Sequence, residues 1–305
     1  MTWDPENLPS EAGRTYVVTG GNAGIGYFTS EQLASTGARV ILASRSPERA
    51  DAAIASIRRQ VAGARLGFVR LDLASLASVR EAAAELRELG PIAALINNAG
   101  QTAGSRRRQT TVDGIERVVG GNFLGHFALT AQVFRALAPD GRVIGLGSDS
   151  TRMVRLDAGD LYSQRRYRPF RAYAFSKHAV QGFAYELDRR LRAAGSGRMS
   201  LLAHPGFSTD ALAPKRPGGD RHPLPWRIGQ RLLGFVGQGK DHGAWPTVRA
   251  ALDPDAESGE YYGPARRLAG VPILTAPVES SPDPAFGAAL WAEAEELGGV
   301  RFELS

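Results

Sequence analysis

Cysteine is absent from the 305 residues, so the chain has no disulfide framework, no thiolate nucleophile and no sulfur ligand for a metal. This absence fits a cytoplasmic location, which is the expectation. Lysine is nearly absent: Lys177, Lys215 and Lys240 are the only three among 37 basic residues, and the rest are arginine. No run approaches 18 apolar residues, so no membrane span is expected. The start, Met1-Thr2-Trp3-Asp4-Pro5-Glu6, is acidic and lacks the apolar stretch of a signal peptide. His126, His178, His204, His222 and His242 are scattered without metal-ligand spacing, so no metal site is expected. The net charge of +6 would suit an anionic partner. However, the dense clusters, Arg106-Arg107-Arg108 and Arg165/Arg166/Arg168/Arg171, have few interleaved aromatics beyond Tyr162, Tyr167 and Phe170. Without stacking platforms, no nucleic-acid partner is expected.

Against that scarcity of lysine, one pair stands out. Tyr173 and Lys177 lie four residues apart, on one face of any helix they share. Random placement of 8 tyrosines and three lysines gives roughly 0.08 such pairs. Tyr162, Tyr167, Tyr185 and Tyr262 are each followed at the same interval by arginine instead. A nearby ammonium favours the phenolate. The expectation is a phenol whose pKa Lys177 lowers, able to exchange a proton near neutral pH.

The first two hundred residues alternate short apolar runs with helical patterns. Strands are expected at 16–19, 38–42, 68–71, 93–96, 142–146 and 199–203. Helices are expected at 24–36, 47–61, 76–89 and 112–136, and along the four-residue recurrence of Phe175, Ala179, Phe183, Leu187 and Leu191. Pro47 opens its helix where a missing N–H costs nothing. Continuous apolar strands alternating with helices predict a parallel, doubly wound α/β sheet of Rossmann type, covered on both faces. The whole chain, 1–305, is expected to be one dinucleotide-binding domain, with a core at 14–204. The Pro/Gly-rich stretch 214–225 then predicts a surface loop leading into an amphipathic helix at 226–236. That segment, 205–245, is either a lid over the strand ends or a plain surface excursion. A last strand near 260–263 and a helix at 284–297 complete the C-terminal part, 246–305.

Thr19-Gly20-Gly21-Asn22-Ala23-Gly24-Ile25-Gly26 follows the first strand and opens the first helix. Glycines there allow a tight turn and close approach of a phosphate to backbone amides, and a helix N-terminus favours negative charge. Gly20, Asn22, Gly24, Ile25 and Gly26 are the candidate phosphate cradle. The end of the second strand separates NAD from NADP. Where NAD sites place an acid for the ribose hydroxyls, this chain has Ser44 followed by Arg45. An arginine fork binds the 2′-phosphate that a carboxylate would repel, so NADP(H) is expected over NAD(H). Asp72 and Leu73 are placed to meet the adenine. Asn97-Asn98-Ala99-Gly100 would line the cleft, with Asn98, Ala99 and Gly100 at the cofactor, although paired asparagines also suit a turn.

These motifs, with Asn122, Ser148 and Pro205-Gly206, occur in the order found in the short-chain dehydrogenase/reductase superfamily, across residues 14–210. The chain resembles that superfamily, and within it the retinol dehydrogenase and WW-domain-oxidoreductase branch. Asn122-Phe123-Leu124-Gly125-His126-Phe127 is close to that branch's Asn-His-Leu-Gly-His-Phe, and Ser148 precedes Tyr173 by the branch's longer interval. The resemblance implies that Tyr173 is the proton donor in reduction and the acceptor in oxidation. It implies that Lys177 lowers the tyrosine pKa and holds the nicotinamide ribose, and that Ser148 bonds the substrate oxygen. Asn122 would order a proton-relaying water. Pro205, Gly206 and Thr209 would contact the nicotinamide end. Pairing of copies through long helices into a homodimer or homotetramer is also implied.

The chain departs from this pattern at three points. Gly147-Ser148-Asp149-Ser150 replaces the usual Ser-Ser, which makes Ser150 a rival hydroxyl. Gly120-Gly121 is unusual inside a helix and suggests a kink or close packing. The membrane-anchor helix of animal retinol dehydrogenases is not expected here, since no run is apolar enough to form one. Two other readings compete. Asp149 and Ser148 with His178 or His204 suggest a hydrolase, but the serine sits one place late for a Gly-x-Ser-x-Gly elbow. A silent NADP(H)-binding regulator would show a broken Tyr/Lys/Ser set, and this set is intact. The expectation is an NADP(H)-dependent oxidoreductase acting on a small-molecule carbonyl or alcohol. Phe207, Leu212, Trp226, Leu232, Leu233, Phe235 and Trp245 make that substrate apolar.

Overall fold

The computed structural model describes residues 3–101, 105–216 and 237–304. Two strands set its centre. β1 (Thr15–Thr19) and β4 (Ile92–Asn97) are buried at every position. A strand can be apolar on both of its sides only where helices cover both faces of the sheet. β2 (Arg39–Ser44) and β3 (Arg65–Arg70) extend the sheet on one side of β1. β5 (Leu137–Leu146), β6 (Met199–Ala203) and β9 (Tyr261–Pro264) extend it beyond β4. The order is β10-β9-β6-β5-β4-β1-β2-β3. Within this sheet, among the described residues, only the pairing of β10 (Pro272–Leu274) with β9 is antiparallel. A separate two-stranded parallel ribbon joins β7 (Ser208–Thr209) to β8 (Gln238–Gly239). The chain builds outward from β1 to β3 and then crosses back to β4. Its switch point, where a crevice opens at the carboxyl ends of the strands, therefore lies between β1 and β4.

Two apolar layers sandwich the sheet. One gathers Val79, Leu86, Phe123, Phe127, Phe183, Trp291 and Phe302. Phe127 packs edge-on to Phe183 and Trp291, each at 5.3 Å between ring centroids. The other layer holds Tyr27, Leu33, Leu42, Ile57, Val248 and Tyr262. The helices that supply these faces are α1 (Gly24–Ser35), α2 (Pro47–Gln60) and α3 (Leu76–Arg87), with α7 (Pro169–Ala193) and the terminal helix Pro284–Gly298. Ser46 caps α2 by accepting from the Arg49 amide at 3.2 Å, and Pro47 occupies its first turn as expected.

The long helix expected over 112–136 is a composite. Residues 111–115 form a turn around Gly114 (φ +83), which leaves Val112 83% exposed. The helix starts only at α4 (Arg117–Val119), where the Glu116 carboxylate accepts from the Val118 and Val119 amides at 3.0 and 2.8 Å. A π-turn follows at Gly120–Leu124, then α5 (Gly125–Val133) and a 3₁₀ turn at Phe134–Ala136. Gly120 thus marks a close approach, since a β-carbon there would lie 2.7 Å from Thr111 Cγ2, whereas one on Gly121 would meet nothing within 4 Å. β5 begins at Leu137, earlier than expected. Pro139-Asp140-Gly141 falls within its irregular first half, where the register against β4 shifts. The interval between Ser148 and Tyr173 holds a short helix, α6 (Ser150–Met153), and a 3₁₀ turn, Ala158–Asp160. β7, β8, β10 and the helix Trp245–Leu252 were not expected from the pattern. The helix expected at 226–236, with Trp226, Leu232, Leu233 and Phe235, lies outside the described residues.

Candidate active site

The crevice at the switch point is a cleft of about 610 Å³ running across the ends of β2, β1, β4, β5 and β6. Its floor is the glycine-rich turn after β1. Gly20 and Gly24 have φ of +66 and +58, conformations that side chains resist. A β-carbon at Gly26 would meet both the Asn98 Nδ2 and the Gly20 carbonyl oxygen at 2.4 Å. Asn98 holds the turn down by donating from Nδ2 to the Thr19 carbonyl at 2.6 Å. α1 starts here with no side-chain cap, so its first amides are left for a ligand.

A buried polar chain supports this floor. The Ala99 amide donates to Thr19 Oγ1 at 2.9 Å, and His126 Nε2 contacts the same hydroxyl at 2.9 Å. The other ring nitrogen of His126 lies 2.9 Å from the Asn122 carbonyl. Burial pulls the His126 pKa down to about 4, so the ring is neutral at pH 7. Asn122, in the π-turn, donates from Nδ2 to the Gln101 carbonyl at 3.1 Å and to Ser176 Oγ at 2.9 Å. Its Oδ1 accepts from the Gln101 amide at 2.8 Å.

At one end of the cleft stand Arg45 and Arg49, with Asp72 and Leu73 across from them. Asp72 Oδ1 is fixed by the Ala74 amide at 3.0 Å. At the other end Ser148, Tyr173 and Lys177 converge with Pro205, Gly206 and Phe207. Ser148 stands close enough to Tyr173 for its hydroxyl to favour the phenolate. Lys177 is 6% exposed, and its Nζ donates to the Leu146 carbonyl at 2.7 Å.

Every site residue expected from the sequence lines this cleft except Ser44 and Thr209. Ser44 points into the protein and is 7% exposed, so Arg45 alone of that pair faces the cleft. Thr209 is 4% exposed, and its Oγ1 has no hydrogen-bond partner among the described residues. Ser150 is buried outside the cleft, and its amide donates to Ser148 Oγ at 3.1 Å, which leaves Ser148 as the hydroxyl in place.

The expected depression of the Tyr173 phenol by Lys177 is not found. Burial pushes that phenol up, and the nearby Ser148 hydroxyl only pulls it partly back. The lysine ammonium is directed to the Leu146 carbonyl and lies 5.8 Å from the tyrosine ring centroid. Burial lowers Lys177 itself to about 8.

The structure removes the hydrolase reading. His178 bonds the Val154 carbonyl and Ser280, and His204 Nδ1 accepts from the Gly206 amide. Neither makes a hydrogen bond to Ser148. Asp149 pairs instead with Arg152 and Arg267, at 3.4 and 3.6 Å. Of the apolar residues expected near the substrate, Phe207 lines the cleft. Leu212 and Trp245 do not, and Trp245 stacks on His242. Among the cleft residues missed as site residues are Arg49, Gln101 and Lys240. Arg49 was findable, because it lies four residues after Arg45, in the first turn of α2. Among the described residues no group of acidic or histidine side chains could hold a metal, and no helix is long and apolar enough to cross a membrane.

A doubly wound sheet with a glycine cradle at its switch point and a Ser/Tyr/Lys cluster beside it defines a dinucleotide-dependent oxidoreductase. Residues 14–218 match the model of the short chain dehydrogenase family. The chain is 38% identical to the polyprenol dehydrogenase of Mus musculus over 97% of its length and 87% of that protein. It is 34% identical to human retinol dehydrogenase 13 over 96% of its length and 87% of the relative's. Among solved structures, an uncharacterised protein of Mycobacterium paratuberculosis superposes with a TM-score of 0.81 at 33% identity, covering 100% of both chains. The chain belongs to the short-chain dehydrogenase family, in its retinol dehydrogenase-like branch.

Proposed function

We propose that the protein is an NADP(H)-dependent oxidoreductase that interconverts an apolar alcohol with its ketone or aldehyde, with Tyr173 moving the proton. The observation that carries this reading is the convergence of Ser148, Tyr173 and Lys177 at one end of a cleft whose other end presents Arg45 and Arg49. The residues fit a dinucleotide. The glycine turn leaves no room for side chains, and the first amides of α1 are uncapped. A bound nicotinamide supplies the hydride in reduction and accepts it in oxidation.

The protein's own part is to bind, orient and exchange the proton. Arg45 and Arg49 would bind a 2′-phosphate, which a carboxylate in their place would repel. Asn98, Ala99 and Gly100 wall the middle of the cleft. Ser148 donates to the substrate oxygen as negative charge develops there. Tyr173, whose phenol is pushed up by burial, is protonated at neutral pH and is fit to give its proton to that oxygen in reduction. In oxidation the same phenol must first lose its proton. Lys177 adds positive charge at the nicotinamide end. Phe207, 39% exposed at the cleft, supports an apolar substrate, as do relatives named for polyprenol and retinol, both long isoprenoid alcohols.

The test is NADPH oxidation with a panel of isoprenoid aldehydes, retinal and aryl ketones, comparing wild type with Tyr173→Phe. Wild type should turn over at least one class, and the variant should lose roughly 10²–10⁴-fold in kcat while still binding NADPH. If both bind NADPH and neither reduces any carbonyl, the protein is a silent cofactor sensor instead.

A further inference from the structure

We infer that Lys240 is an additional ligand for the cofactor pyrophosphate, held over the glycine-rich turn by Asp210. The inference rests on reading the cleft as a dinucleotide site. Four cationic side chains, Arg45, Arg49, Lys177 and Lys240, line the cleft among the described residues. The two arginines stand at the end of β2, and Lys177 stands beside Tyr173. Lys240 alone stands at the glycine turn between them. Its Nζ would lie 3.5 Å from a β-carbon built on Gly24, the first residue of α1. The amides at that helix start are where a dinucleotide's two bridging phosphates are held in this architecture, and the helix has no cap of its own there. A diphosphate brings about two negative charges, which uncharged amides balance only in part.

The lysine is built into its place. Asp210 Oδ2 accepts from Nζ at 2.6 Å, and the pair is mostly buried, with side chains 19% and 24% exposed. An ammonium has three donors, so one bond to Asp210 leaves two for phosphate oxygens. Holding the long stem in advance removes rotamer freedom that binding would otherwise have to remove. The backbone is fixed as well. Gly239, just before it, pairs with Thr209 in the β7–β8 ribbon. Gln32, on α1, donates from Nε2 to the Asp241 carbonyl at 2.8 Å. The segment carrying Lys240 is thus tied to the helix whose first turn it faces. The same ion pair links the phosphate end of the cleft to Asp210, the neighbour of Thr209.

The test is binding, not turnover. NADPH is titrated by its own fluorescence, and ADP-ribose and 2′-AMP by displacement of NADPH, in wild type, Lys240→Met and Lys240→Gln. ADP-ribose carries the pyrophosphate, whereas 2′-AMP carries the adenine and 2′-phosphate without it. Each variant should weaken NADPH and ADP-ribose about tenfold and leave 2′-AMP nearly unchanged. The salt dependence of ADP-ribose binding should also flatten, because one fewer charge is engaged. Equal dissociation constants for ADP-ribose in wild type and both variants would overturn the proposal. So would an equal loss for 2′-AMP, which would mean that the lysine acts on the fold or on the arginine end. A wild-type protein that binds neither NADPH nor ADP-ribose would instead sink the dinucleotide reading on which the proposal stands. The variants' melting temperatures in the absence of ligand separate lost binding from lost folding.

Discussion

Asn98 Nδ2 sits 2.6 Å from the Thr19 carbonyl, directly beneath Gly26. This one bond ties the ends of β4 and β1 together across the switch point and closes the space that any side chain at 26 would need. The prediction is severe for a small change. Gly26→Ala places its methyl 2.4 Å from both the Asn98 nitrogen and the Gly20 oxygen, so the amide bond or the turn must give way. NADPH affinity should fall by about tenfold or more, and thermal stability should drop on the order of 1–3 kcal/mol. Adding Asn98→Ala should recover only part of the loss, because the clash with the Gly20 backbone remains. A Gly26→Ala protein with wild-type NADPH affinity would show that the turn does not hold the phosphates.

Arg45 and Arg49 project into one end of the cleft from the first residues after β2 and from the first turn of α2. Arg45→Asp puts a carboxylate where a 2′-phosphate would lie. Its effect should be about 100-fold on NADPH and under about threefold on NADH. Arg49→Ala should weaken NADPH by about tenfold and NADH little. Titration of both cofactors by fluorescence decides it, and equal effects on the two would remove the basis for preferring NADP(H).

Much of this was readable along the chain because it is local. Val17, Val18, Ile41, Leu42, Leu95 and Ile96 read as buried strands, since both of their sides must be apolar. Gly20, Gly24 and Gly26 marked the turn because the backbone there excludes side chains. The failures come from contacts that an apolar period does not record. Glu116 starts α4 by folding its carboxylate back on two amides, which no apolar period records. The β5 strand runs through Pro139-Asp140-Gly141 because β4 pairs with Leu137 and Arg142 on either side of a register shift. Lys240 reaches Gly24 from over two hundred residues away. Lys177 was expected to act on Tyr173 because the two are four residues apart. The fold turns its nitrogen to the Leu146 carbonyl instead.

That redirected lysine makes the next expectation one of pH. Burial lowers Lys177 to about 8, so it is charged below that pH and neutral above it. An anionic dinucleotide favours the charged form. With the 2′-phosphate fully ionised above pH 7, NADPH affinity should therefore weaken as pH rises through 8. Lys177→Met should bind more weakly throughout and lose that step. A wild-type dissociation constant that is flat from pH 7 to 9.5 would place the lysine outside the binding energetics.

His126 carries the acid counterpart. Its ring bridges Thr19 Oγ1 and the Asn122 carbonyl, and burial lowers its pKa from an ordinary 6.5 to about 4. Between those two values the unfolded chain takes up a proton that the folded ring refuses. The unfolded state then binds more protons, so stability falls as pH falls. The contribution of the neutral ring is intact above pH 6.5, shrinks on acidification and is gone below about 4. A shift of this size corresponds to roughly 3 kcal/mol. Because the ring joins the floor of the glycine turn to the π-turn bearing Asn122, the loss should loosen the floor of the cleft. Denaturant melts of wild type and His126→Gln at pH 7.5, 6, 5 and 4.5 test this. The variant should be less stable at pH 7.5, where the bridge is weakened, yet lose less further stability on going to pH 4.5. Parallel losses in the two proteins would assign the acid sensitivity to carboxylates elsewhere in the fold.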